Sequence, residues 1–513
     1  MRKKQITAFL IVFAFINVGI VALTAFTTAK STTITFPTEC ALLDLTHENF
    51  DEKEANALTV EPIGSPMGQP AQVGDPYDFM VSDDGLGIDY LEHFIVVNEG
   101  DHILLLITKD AYDSFDGTYY HFDNPIGDAS APWLRTEDLI SVPMLDYLMD
   151  EFDDNIYDTM AEIYGVPASR PDNESLPDYD EKDKIWTLIF NIRDEAYYDQ
   201  EAESYIAGYF SLADSNTYQR NMMHIDTFEW ENRTGTYGDP WFLGGDRARP
   251  HLYEGVFAHE YEHMIHADID PDEPSWVDEG LADLAGFFCG YGHFDGHIFN
   301  YLAYHPMVSL TFWGNGLEDY GCAYLFQLYL FEQFGGAAFT SALVQEQANG
   351  IEGIENTLRA FGFTETFDEV FDAWTIANYI DDTTKAGGKY GYESLDIGSA
   401  DTRGATIEWV LANVWWGPPL DFPFHVPSDW FYGIEPQPYT AHYFRFNSRR
   451  AAMLYIDGDD FSGTTAYSGT YEWYSDAQAW AWRSFNQSFD IPVTGATLDF
   501  MTFFEIEGDW DYG

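Results

Sequence analysis

The sequence predicts an α+β unit, with a mixed sheet, a helix beneath it and a mostly helical lower half, followed by an all-β, sandwich-like module. Three observations predict this. Short apolar runs of strand type recur between residues 93 and 228, helical periodicities dominate 251–334, and alternating aromatic and polar residues with Gly and Pro turns fill the chain after about 385. At 513 residues the chain is also too long for one ordinary core, so several domains are expected.

The first element is an export-like segment. Arg2, Lys3 and Lys4 precede an apolar stretch from Ile6 to Ala25, and no charge follows until Lys30. Small residues at Thr27-Thr28-Ala29 suit cleavage, and the stretch is also long enough to remain as an anchor. Residues 1–29 are therefore expected to be a signal peptide or N-terminal anchor, and the polar residues 30–75 a linker or short pro-segment. Residues 76–384 carry the α+β unit. Within it, His93–Thr108 reads as two strands around a turn at Glu99-Gly100-Asp101, and Trp186–Ile192 and Met222–Phe228 as further strands. Leu145–Tyr164 shows helical spacing ended by Gly165 and Pro167. Three more helices are expected, over about 251–266, 275–288 and 320–334. Residues 385–513 form the β-rich module.

Composition excludes whole classes of partner. Lys plus Arg number 23 against 87 Asp plus Glu, a formal charge of −64, so phosphate backbones and anionic membrane surfaces are repelled. No nucleic acid partner is expected, and a membrane only if the N-terminal segment stays uncleaved. Hydrophobic residues at 46% and aromatics at 17% rule out a disordered chain. Acidity of this kind fits a secreted protein from salty or acidic surroundings, or one with calcium sites. Of Cys40, Cys289 and Cys322, the latter two lie on predicted helices. They are expected either to pair or to stay as buried thiols.

Chemistry concentrates at His259-Glu260-Tyr261-Glu262-His263. Two His at i and i+4 share one helix face, one turn apart, so both imidazoles reach one zinc ion. Glu260 stands beside the open coordination position, where it can take a proton from zinc-bound water. A catalytic zinc needs a third protein ligand, and Glu279 on the next helix is the candidate. Asp283, one turn beyond Glu279, is placed to accept the second ring N–H of a ligand imidazole. His266 is a rival ligand, yet it lies about 10 Å along the axis from His259, too far for one ion on a continuous helix. It reads as a supporting or surface group.

Residues 253–266 (YEGVFAHEYEHMIH) and 274–282 (PSWVDEGLA) resemble secreted gluzincins of the hyicolysin type, as do 191–194 (NIRD) and 320–326 (YGCAYLF). Segments 146–157 (DYLMDEFDDNIY) and 498–513 (LDFMTFFEIEGDWDYG) resemble immune inhibitor A peptidases. In those proteins the latter motif sits within a β-sandwich that continues, so the chain is expected to be truncated there. The pattern after His263 departs from that family's active site. The resemblance implies a zincin-type catalytic domain, zinc held by His259, His263 and Glu279, and Asp283 supporting His259. It also implies an oxyanion-stabilising His or Tyr, for which Tyr320 and Tyr324 are named, with His293 and His297 as further candidates.

Acidic loops add a second ion. Asp268, Asp270 and Asp272, between the two zinc-bearing helices, are calcium candidates, as is Asp457-Gly-Asp459-Asp460; solvated acidic loops are the competing reading. The expected function is an extracellular zinc endopeptidase acting on protein or peptide substrates. No acidic segment of the kind that grips a substrate amine in aminopeptidases of that clan precedes the helix. The contrasting expectation is a surface adhesion or glycan- or cell-wall-binding protein with a degenerate zincin domain.

Overall fold

Three strands apolar on both faces make the centre of the sheet, as parallel strands covered on both sides must be. The computed structural model describes residues 71–123, 137–170, 184–198, 204–245, 247–413 and 438–443. The export-like segment, Cys40, Asp457–Asp460 and most of the expected β-rich module lie outside the described residues. The strands are β1 (Pro76–Asp83), β2 (Ile88–Glu99), β3 (Ile103–Thr108), β4 (Tyr119–Asp123), β5 (Glu137–Ser141), β6 (Ile185–Ile189), β7 (Gly208–Phe210) and β8 (Asn221–Ile225). Among the described residues, six of them form one mixed sheet in the order β1-β2-β3-β6-β8-β7. β3, β6 and β8 run parallel, while β1, β2 and the edge strand β7 pair antiparallel to their neighbours. β4 and β5 make a separate ribbon.

Side chains alternate across β3. Ile103, Leu105 and Ile107 enter the large core shared with the helices, while Leu104 and Leu106 join Tyr77, Phe79, Phe94 and Trp186 on the other face. The expected 93–108 pair of strands, the 186–192 strand and the 222–228 strand correspond to β2–β3, β6 and β8. β1, β4, β5 and β7 were not anticipated. Residues 71–75 do not behave as linker: Ala71 is buried, and Gly74 and Asp75 already exchange backbone bonds with Val96 of β2.

Four helices frame the candidate site: α1 (Leu252–His266), α2 (Ser275–Phe288), α3 (Asp295–Tyr304) and α4 (Leu317–Phe334). α1 packs against β7, β8 and α2, and α4 packs against both α2 and α3. Residues 253–266 of α1 are all buried, so its polar side chains lie inside the protein rather than on a wet face. Glu254 anchors its first turn by accepting the Gly235 N–H and the Tyr147 O–H, and it also contacts His251 at 2.8 Å. Two glycines let the helices approach closely. A Cβ at Gly280 would stand 2.7 Å from the Ala323 carbonyl, and one at Gly321 would stand 2.0 Å from the His297 carbonyl.

The helix expected at 145–164 runs from Val142 to Ile163, passing through a π-helical turn at Phe152–Ile156. Helices at Ala337–Val344, Ile351–Ala360 and Phe367–Ile380 complete the helical half. Residues 385–413 correct the boundary expected at 384. They fold as 3₁₀ turns at Ala386–Gly388 and Ala400–Thr402 and a helix at Ile407–Asn413, and Tyr392, Leu395, Ala405 and Ile407 enter the helical core. The reason is local capture of the chain. The Asp381 carboxylate accepts the Tyr392 and Ile397 N–H groups, and Glu332 accepts those of Glu393 and Ser394. Cys289 and Cys322 are free, buried thiols, so the disulfide alternative fails. Cys289 terminates α2 beside Asn155, whereas Cys322 on α4 meets Tyr301 of α3. No helix among the described residues is long and apolar enough to cross a membrane.

Candidate metal centre

The helical repeat and one helix crossing bring three ligand atoms together. His259 and His263 project from one face of α1, and their Nε2 atoms lie 3.0 Å apart. α2 crosses beside them and delivers Glu279, whose Oε2 is 3.2 Å from His259 Nε2 and 3.4 Å from His263 Nε2. A tetrahedral zinc bound at its usual ligand distances separates pairs of ligand atoms by about 3.3–3.4 Å. The triangle therefore has the size that ion requires. Its chemistry fits as well, because Glu279 is fully buried and its Oε2 has no hydrogen-bond partner.

Each imidazole is oriented from behind. His259 Nδ1 lies 3.0 Å from Asp283 Oδ1, and Asp283 Oδ2 lies 2.7 Å from His297 Nδ1 on α3. His263 Nδ1 lies 3.0 Å from Asp278 Oδ2, and Asp278 Oδ1 lies 2.8 Å from His266 Nδ1. An ionised carboxylate only accepts, so both ligand rings carry their proton on Nδ1 and turn a bare Nε2 toward the ion position. The second arrangement has an extra member. Glu262, fully buried, sets its oxygens 3.6 Å from His266 Nδ1 and 3.8 Å from His263 Nδ1, with neither oxygen hydrogen-bonded.

The electrostatics favour a cation. Burial alone would lower the pKa of His259, but the facing carboxylates of Asp283 and Glu279 carry it up to about 10. His263 is likewise raised well above its ordinary value against burial, by Asp278 and Glu279. Asp278 and Asp283 stay below the ordinary carboxylate range despite burial, because histidines face them. A site with these inward-facing nitrogens and carboxylates could hold a divalent ion, which would displace the ring protons. Glu260 behaves differently. Burial pushes it up to about 7, against the pull of His259 and His263, and the Phe210 N–H of edge strand β7 reaches its carboxylate.

Of the two tyrosines, Tyr320 meets a ligand: its hydroxyl is 3.5 Å from Glu279 Oε1, and its ring is 6.4 Å from that of His259. Tyr324, one turn further, donates instead to His293 Nδ1, while His293 Nε2 faces the Ser394 carbonyl at 3.0 Å. That pair ties α4 to the segment after residue 385. Asp268, Asp270 and Asp272 do not converge as three ligand atoms within 4.8 Å of one another. Asp268 is held by Arg170 at 2.9 Å and by the Ala168 N–H, which accounts for its carboxylate without an ion.

Sequence reasoning missed Asp278, Glu262 and the link from His297 to Asp283. Asp278 was findable, since it adjoins Glu279 on a helix already assigned to the site. His266 is buried against Asp278, so it is not a surface group. Comparison with known proteins finds no protein-family model and no curated protein that matches this chain.

Proposed function

We propose that the chain is a zinc-dependent endopeptidase with a zincin-type catalytic unit of the gluzincin kind. The single observation that carries this is the triangle of His259 Nε2, His263 Nε2 and Glu279 Oε2, with an orphaned carboxylate oxygen at its apex. The mixed sheet ending in an antiparallel edge strand, with the histidine-bearing helix against it and the glutamate on the next helix, is the arrangement that reading expects. The export-like start and the strong acidity support action outside the cell on protein or peptide substrates.

Bound zinc supplies an acidic water and a positive charge toward a scissile carbonyl. Glu260 takes a proton from the attacking water, holds it on its carboxyl and passes it to the leaving amine. Its ordinary form in a buried site, poised near neutrality, suits both halves of that transfer. Tyr320 stands where a phenolic O–H can donate to a developing oxyanion.

The test is metal content and casein cleavage for the full chain and for Glu260→Gln. The proposal expects about one zinc per chain in both proteins and cleavage only by the first, with the variant slowed by about 10²–10⁴-fold. A chain that takes up no zinc when it is supplied overturns the ligand assignment. A chain that binds zinc but cleaves no protein favours a binding role for a degenerate zincin domain.

A further inference from the structure

We infer that His297 is a positioning residue of the metal centre, acting on His259 through Asp283; this rests on the metal-binding reading above. His297 Nδ1 meets Asp283 Oδ2 at 2.7 Å, and Asp283 Oδ1 meets His259 Nδ1 at 3.0 Å. All three side chains are buried, at 3%, 0% and 1% exposure, so water does not substitute for any of them. The placement of His297 is rigid. Its ring stacks on Phe294 at 5.3 Å and packs against Tyr320 at 5.1 Å, and its carbonyl fills the space that a Cβ at Gly321 would need.

The chemistry follows from how many hydrogen bonds fix Asp283. Its Oδ1 faces His259 Nδ1 and its Oδ2 faces His297 Nδ1, so the carboxylate is held at both oxygens and has no rotational freedom. Without His297, only one oxygen is held, and the carboxylate is free to turn out of line with His259 Nδ1. The same construction recurs at His263, Asp278 and His266, with the outer histidine drawn from α1 instead of α3, so the outer histidine is not confined to one contact.

The experiment measures zinc affinity by chelator competition on the full chain, for wild type, His297→Ala, His297→Asn, His297→Gln, Asp283→Ala and the Asp283→Ala/His297→Ala double variant. His297→Ala is expected to weaken zinc binding about five- to tenfold. Asn, whose amide N–H occupies the place of Nδ1, restores affinity to within about twofold, whereas Gln, which mimics the other ring nitrogen, does not. In the Asp283→Ala background, removing His297 changes nothing further. Equal losses in both backgrounds, or unaltered affinity in folded His297→Ala, overturn the inference. If His297→Ala does not fold, the Asn and Gln variants decide the matter by the same readout, and equal affinities there overturn it too. A wild-type chain that binds no zinc brings down the metal reading itself, a result distinct from zinc-binding wild type with indifferent His297 variants.

Discussion

The two candidate histidine ligands, His259 and His263, are supported by arms of the same plan but different charge. On one arm, His259 rests on Asp283, which is held by His297 from α3. On the other, His263 rests on Asp278, which is held by His266 from α1 itself, and Glu262 adds a second buried carboxylate. The first arm spans three helices and has a single anion. The second returns to its own helix and contains two. The difference teaches that orientation of a ligand needs one carboxylate held at both oxygens, while surplus charge behind it makes the arm tolerant of losing a member.

The largest effect should come from the aspartates. Asp283→Ala is expected to weaken zinc binding about 100-fold, and Asp278→Ala only about tenfold because Glu262 remains beside His263. Chelator competition reads both, and equal losses would break the asymmetry. Next come the tyrosines. Tyr320→Phe is expected to lower kcat about tenfold or more with little change in KM, while Tyr324→Phe leaves kcat near wild type and lowers thermal stability instead. Steady-state kinetics on a peptide substrate separates the two.

A smaller effect falls on the outer histidine of the second arm. His266→Ala should weaken zinc binding about threefold, less than His297→Ala, since Glu262 stays in place. An effect exceeding that of His297→Ala would reverse the ranking of the arms.

The smallest effect lies at the periphery of that arm. Burial lifts Glu273 up to about 7 from 4.5, while the Gly350 N–H it accepts pulls the other way. Because the folded pKa is the higher one, the protonated acid contributes stability that is complete below about pH 4.5 and lost as pH rises through about 7. Glu273→Gln keeps the acceptor without the ionisation. Its unfolding free energy relative to wild type, measured by denaturant titration, should therefore rise between these pH values, by an amount on the order of 1–2 kcal/mol, and stay level above them. A difference independent of pH would mean that Glu273 is ionised throughout.

Much of the fold was legible where residues act on near neighbours. β3 and β6 announce themselves by nearly continuous apolar runs, β8 by Met222, Met223 and Ile225 around His224, and α1, α2 and α4 by their spacing. β7 has three residues and no pattern of its own, so only its pairing with β8 makes it a strand. Residues 385–413 carry aromatic and polar alternation, yet carboxylates from Glu332 and Asp381 bind their backbone and draw them into the helical core. Alternation predicts a strand only when the backbone finds a strand to pair with.

The sequence by itself determined that two imidazoles share a helix face with a carboxylate between them, because the 3.6-residue repeat is a property of the local chain. It also determined a carboxylate-bearing second helix, with Glu279 and Asp283 one turn apart. Tertiary structure alone decided that Glu279 Oε2 closes the triangle, that Asp278 and Asp283 each hold two histidines, that Tyr320 rather than Tyr324 meets the site, and that the two cysteines remain apart. Those outcomes depend on how closely α1, α2, α3 and α4 cross. Gly280 lets α4 approach α2, Gly321 lets α4 approach α3, and Gly286 faces Gly255 where α1 and α2 meet, contacts far apart in sequence that no local pattern encodes.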